Sequence, residues 1–240
     1  MCFTVNINLT RNALESRFGA KFSNPSAYRP GYYFNAFEIP DLPVIRSGYP
    51  ESISLVKWGL IPFWVKDAKA ASEIRLKTFN ARGETIREKP SFRTSVKSKR
   101  CLVLCRGFYE WQHRENEKIP HYIYLDGETP MAMAGLYDDW TDRDTGEVIQ
   151  TCTIITTAAN PLMEKIHNSR KRMPVILPET AENAWIDPDL SPEEAVKHLK
   201  PVEEEKMRFH TISKLISKRG VDKNVPELVE PYSYDSGKLL

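Results

Sequence analysis

The sequence contains no run of about 18 apolar residues, which excludes a membrane-spanning helix. It contains no internal repeat, no low-complexity tract and no Gly/Ser-rich stretch, which excludes a solenoid and a flexible linker between domains. Charge of one sign is not in excess. The 34 Lys and Arg stand against 32 Asp and Glu, a net of +2, so total charge does not announce a nucleic-acid binder. Cysteine is scarce, at four, and the residues that follow Cys2 (Thr4, Asn6, Asn8, Arg11) are too polar for a secretory leader. Reduced thiols in a cytoplasmic protein are the expectation. Cys101 and Cys105 lack the matching Cys or His pair of a zinc site, so no metal is expected.

What is present is an ordinary globular composition: 240 residues, 41% hydrophobic and 28% charged. A chain of this length buries roughly 70% of its unfolded surface without staples. A single domain over residues 1–230 is expected, with a C-terminal tail at 231–240. Thr10 can cap a helix over 11–18 that Gly19 stops. The proline-rich segment 20–50 is expected to be irregular. Alternation predicts strands at 52–58, 101–112, 121–125, 131–137 and 151–157, and helices are expected at 66–76, 162–168, 178–185 and 192–199. Asn160-Pro161 is a helix opening, a cap followed by proline in the first turn. Many short strands without a βαβ alternation predict an α+β fold on a mainly antiparallel sheet.

The charges are unevenly distributed. Arg87, Lys89, Arg93, Lys97, Lys99, Arg100 and Arg106 face the single acid Glu88, and Lys165, His167, Arg170, Lys171 and Arg172 form a second group. This pattern fits either a cationic face or two solvated lysine- and arginine-rich surfaces.

Four short segments can carry chemistry. Cys2, once Met1 is removed, would place a free α-amine and a thiol two carbons apart. Such an amine has a pKa near 7.7–8.0, so a useful fraction is nucleophilic at neutral pH. It can form an imine with an aldehyde, and the thiol can close a thiazolidine. It can also act as base for its own side chain. The bland alternative is a small buried residue. Thr78 to Glu84 is a polar stretch after a helix. Arg106-Gly107-Phe108-Tyr109-Glu110-Trp111 embeds an acid in an aromatic strand, where a raised pKa would suit a proton-transfer group; the alternative is an edge glutamate facing water. His167, at a helix end before three cationic residues, fits a proton shuttle beside an anion site or a structural histidine. Trp58 to Trp64 puts two aromatics on a turn, of which Trp58 is expected in the core and Trp64 fits a base-stacking platform.

In this order, Met1-Cys2, Trp58-Gly59-x-x-Pro62-x-Trp64, Asn80-Ala81-Arg82-x-Glu84, Cys101-x-x-x-Cys105-x-Gly107-Phe108-Tyr109-Glu110-Trp111 and Ile166-His167 before Arg172-Met173-Pro174 resemble the SRAP family. Its members were first called SOS response-associated peptidases and are understood as sensors of abasic sites in single-stranded DNA. The resemblance runs to about Glu230 and implies a barrel-like SRAP fold. It implies that Cys2 captures the aldehyde of the ring-opened sugar, that Asn80 holds the Cys2 terminus and the sugar, that Glu110 is the acid–base group and that His167 assists ring opening. Arg82 and Arg172 would bind phosphates, Trp64 would stack a base and Thr157 would line the site. The expected partner is single-stranded DNA containing abasic sites, bound by a monomer, with no cofactor. Two departures stand out. Phe3-Thr4 replaces the family's usual Gly-Arg, which removes one phosphate contact. The interval from His167 to Met173 is lengthened, so Arg170 competes with Arg172 for the phosphate role. The alternatives are a cysteine peptidase that removes its own leader and a non-catalytic single-strand-binding module.

Overall fold

The computed structural model describes residues 2–115 and 117–234. The chain opens with β1 (Thr4–Asn6) and α1 (Arg11–Phe18). Thr10 caps α1 by accepting the Ala13 N–H, and Gly19 ends it in the left-handed region at φ 63°. Two short strands follow, β2 (Lys21–Phe22) and β3 (Phe34–Asn35), then a hairpin of β4 (Asp41–Arg46) and β5 (Tyr49–Trp58). Helix α2 (Ala68–Arg75), capped by Asp67, leads to β6 (Asn80–Arg82) and the single turn α3 (Ser95–Ser98). The long strands come next: β7 (Arg100–Cys105), β8 (Gly107–Arg114), β9 (Glu117–Leu125), β10 (Met131–Thr141) and β11 (Val148–Ala158). Helix α4 (Pro161–Ile166) starts at the Asn160 cap, which accepts from Met163 N. The chain closes with β12 (Arg172–Pro174), β13 (Ile176–Leu177), α5 (Glu179–Ile186), α6 (Pro192–Ala195) and β14 (Met207–Thr211).

Five strands close on themselves. β5, β4, β7, β10 and β11 pair antiparallel in that order, and β11 returns to β5 through a short parallel register, Thr151 opposite Lys57 and Cys152 opposite Trp58. Closure removes the open edges of these strands. Every residue of β7 is buried, because α5 covers its outer side; Trp185 donates its indole N–H to the Cys101 carbonyl. Gly135 on β10 is required by the tight interior. A Cβ there would lie 2.8 Å from the Thr153 carbonyl and 2.9 Å from the Cys101 sulfur. Arg100 is wholly buried, and its guanidinium donates to the carbonyls of Val96, Lys97, Trp185, Asp187 and Leu190. It therefore ties α3, α5 and the start of α6 to the barrel rather than contributing to a cationic face.

A second antiparallel sheet, in the order β14-β9-β8-β1-β3, abuts the barrel. The sequence predicted one strand over 101–112, and this is corrected. The chain leaves the barrel at Arg106, whose N–H donates to the Asn6 carbonyl, and enters the second sheet at Gly107. A Cβ at Gly107 would meet the Ile123 carbonyl at 2.6 Å, so only glycine fits this crossing. Segment 20–50 is also more ordered than expected, since β4 is a barrel strand. Pro43 is tolerated there because the β7 pairing begins at Val44, leaving proline with one neighbour strand. The expected tail is partly docked. Tyr232 N–H donates to the Thr211 carbonyl and the Tyr234 hydroxyl to that of Ile212; residues 235–240 lie outside the described ones. Among the described residues, no helix is long and apolar enough to cross a membrane.

Candidate active site

The second sheet and α4 bring the chemistry together. On β8, alternation sends Tyr109 into a cluster with Tyr122, Ile212 and Leu228, while Phe108 joins the main core. Glu110 shares the Phe108 face and is 4% exposed, so it is not an edge glutamate facing water. Burial pushes its carboxyl up to about 7. His167 follows the last turn of α4 and is 5% exposed; its Nδ1 lies 3.7 Å from Glu110 Oε1. Burial also moves His167, in the opposite sense, down to about 4. Near neutral pH the imidazole is uncharged, so this contact is a pair of proton-handling groups rather than an ion pair. Nδ1 lies 2.8 Å from the Arg172 carbonyl. A carbonyl only accepts, so Nδ1 carries the proton and Nε2 remains the basic nitrogen.

Cys2 precedes β1 and is fully buried, as are the other three cysteines, all free thiols. Burial first, and the Glu110 charge second, push its thiol well above the usual range. The thiol is therefore protonated at neutral pH and needs a base to become a nucleophile. Asn80 opens β6, which lies parallel to β11, and its Nδ2 donates to the Cys2 carbonyl at 2.9 Å. Its Oδ1 is buried with no hydrogen-bond partner among the described residues. An orphaned acceptor beside Cys2 suits a donor from the Cys2 backbone nitrogen side.

An open cleft of about 720 Å³ runs past this group. Glu110, Trp111 and His113 of β8 form one wall with Lys118 of β9, and His167, Ser169 and Arg170 form the other. Phe3 lies at one end, its ring 5.3 Å from that of Phe37 and 6.3 Å from that of Phe79. Phe37 is 59% exposed. No group of three or more His, Cys, Asp or Glu suited to a metal occurs among the described residues.

A family model described as SOS response associated peptidase (SRAP) matches residues 1–219. The chain belongs to this family. It is 40% identical over 193 residues to the abasic site processing protein YoqW of Bacillus subtilis, covering 80% of this chain and 82% of that one. It is 34% identical to the abasic site processing protein HMCES of Xenopus tropicalis, over 69% of this chain and 53% of that longer one. A crystal structure of a Bacteroides thetaiotaomicron protein matches 97% of this chain and all of its own, with a TM-score of 0.91 and 40% identity. The SRAP fold inferred from the motifs is the fold found.

Not every expected site residue joins the SRAP cleft. Arg82 is exposed on β6, two residues beyond Asn80. Arg172 is engaged elsewhere. Its guanidinium makes a two-pronged pair with Glu84 at 2.6 and 2.9 Å and donates to the Thr156 carbonyl and hydroxyl. Arg170 lines the cleft instead, on a bend where Lys171 takes φ 50°. Thr157 lines a different hollow of about 530 Å³, with Glu84, Arg87 and Leu199. Trp64 is 43% exposed on the turn after β5, and Trp58 is wholly buried. Thr4 is buried in β1 and offers no cation. The cationic runs are also depleted by pairing: Arg87 with Glu193, Lys99 with Asp138 and Asp139, and Arg106 with Glu128. Lys118 and His113 were missed in the sequence. They face each other across the β8–β9 register, a pairing that no local motif announces.

Proposed function

We propose that this SRAP protein recognises abasic sites in single-stranded DNA and bonds to them through Cys2 after removal of Met1, a residue outside the described ones. The single observation that carries this reading is the meeting of four residues from separate segments: Glu110 and His167 in contact on the cleft lining, with buried Cys2 beside Glu110 and tied to Asn80 behind it. The freed α-amine attacks C1′ of the ring-opened sugar and gives a carbinolamine. Protonated Glu110 donates a proton as hydroxide leaves, so one water is lost and an imine forms. The Cys2 thiol then adds to the imine carbon and its proton passes to the ring nitrogen, through Glu110 as carboxylate. The product is a thiazolidine, and no oxidant or reductant is consumed. His167, neutral with Nε2 basic, takes the sugar hydroxyl proton during ring opening. Asn80 holds the Cys2 backbone, and its unpaired Oδ1 receives an N–H of the freed amine. Arg170 and Arg82 bind phosphates next to the lesion, and Trp64 stacks a neighbouring base. An abasic sugar has no base to unstack, which lowers the cost of exposing it.

The test is incubation with abasic and intact single-stranded oligonucleotides, followed by a denaturing gel. The reading expects a shifted band with the abasic strand alone, absent from protein that retains Met1. Equal retention of both strands, lost entirely in denaturant, would instead indicate a non-covalent binding module.

A further inference from the structure

The turn that carries Trp64 is fastened more firmly than an exposed loop needs to be. It begins at Gly59 in the left-handed half of backbone space, φ 103°, with its N–H donating to the Cys152 carbonyl. Ile61 N–H donates to the buried Thr151 hydroxyl at 2.8 Å, and the Thr78 hydroxyl donates to the Leu60 carbonyl at 2.7 Å. Trp140 holds the far end through its indole N–H to the Val65 carbonyl. At the tip, Phe63 N–H donates to Asp138 Oδ2 at 3.0 Å. Asp138 is 1% exposed, and the same carboxylate accepts from Lys99 Nζ, the Ser95 hydroxyl and Asp139 N–H. The two rings mounted on this scaffold face solvent: Phe63 is 54% and Trp64 43% exposed. A buried, four-fold solvated carboxylate is costly to place, and its one ligand from this turn is the backbone of the exposed Phe63.

We infer that Phe63 and Trp64 together form a preset platform for two successive nucleobases of the single strand, and that Asp138 is the positioning residue that fixes it. The inference rests on the proposed reading and adds Phe63 and Asp138 to it. Aromatic side chains on a backbone held by buried polar ties have less freedom to lose when a base stacks on them, so affinity depends on the ties staying intact. Asp138 does not line the cleft that holds the proton-handling pair, and its carboxylate is engaged by Phe63, Ser95, Lys99 and Asp139. Its loss therefore weakens strand binding without slowing the bond-forming step once the strand is bound.

The test compares Asp138→Asn, Phe63→Ala, Phe63→Trp and the double variant Phe63→Ala/Asp138→Asn with the full-length wild type. Capture rate is measured against the concentration of an abasic single strand. Asp138→Asn and Phe63→Ala are expected to raise the half-saturating concentration about tenfold. Capture at saturation should stay within about twofold of wild type. Phe63→Trp should keep wild-type binding, and the double variant should be no weaker than Asp138→Asn alone. An unchanged half-saturating concentration in either single variant, a loss confined to the saturating rate, or effects that multiply would overturn the inference. Anisotropy with an intact strand reads the same platform without the capture step. Absence of capture by the wild type would thus defeat the proposed function, while equal anisotropy for all variants would defeat this inference. Phe63→Ala alters an exposed ring, so its result stands even if Asp138→Asn unfolds.

Discussion

Glu110 and His167 are displaced in opposite directions by the same cause, burial, and this has a measurable signature. Glu110 keeps its proton in the folded state up to about 7, above the ordinary 4.5. Its contribution to stability is present below 4.5 and is lost as pH rises through 7. His167 stays neutral down to about 4, below the ordinary 6.5, so its contribution is present above 6.5 and is lost as pH falls through 4. Between those limits the two slopes oppose and largely cancel. Relative to wild type, Glu110→Gln should therefore make stability rise more with pH between 4.5 and about 7, and His167→Gln should make it rise less between about 4 and 6.5. Urea titrations across this range measure both; parallel profiles in the two variants would contradict the assignment. Cys2 makes a second prediction at this scale. Cys2→Ala keeps the terminal amine but lacks the thiol, so its adduct with an abasic strand should survive denaturation only after borohydride reduction of the imine. A stable unreduced adduct would remove the thiol from the account.

The bend between α4 and β12 separates two arginines, of which the sequence favoured Arg172 and kept Arg170 as the competitor. Met173-Pro174 pointed to Arg172 as the phosphate ligand, yet its Nη1 and Nη2 are engaged by Glu84 and Thr156 and its buried Nε has no partner among the described residues, while Arg170 lines the cleft. Arg172→Ala should cost about 1 kcal/mol of folding stability, measured by chemical denaturation, because buried Thr156 loses its guanidinium donor while half-exposed Glu84 returns to water. Arg170→Ala should leave stability unchanged and reduce the slope of log affinity against log salt by about 0.7. The reverse pattern would restore Arg172 to the phosphate role. Legibility follows the same division between near and far. The caps at Thr10 and Asn160 and the stop at Gly19 were readable because the partners lie within three or four residues. The break at Arg106-Gly107 was not, since it is set by the Asn6 carbonyl and the β9 backbone. Likewise Glu110 was identifiable from its aromatic strand, whereas Lys118 enters the cleft only through a cross-strand register.

At the scale of the molecule, a closed five-strand barrel supports the sheet that carries Glu110, and the chain passes from barrel strand β7 into β8 of that sheet at Gly107. The barrel interior has no slack at Gly135. Gly135→Ala should destabilise by about 1–3 kcal/mol through overpacking against Cys101 and Thr153, seen as a lowered melting temperature. An unchanged melt would mean the interior can expand. This packing fixes the segments that carry Cys2, Asn80, Glu110 and His167 relative to one another. The decisive measurement is the intact mass of Met1-processed protein after reaction with an abasic single strand, with peptide mapping of the adduct. The account predicts a mass equal to the sum of the two reactants less one water, located on the peptide that begins at Cys2. An adduct on a lysine, or no mass change at all, would contradict it.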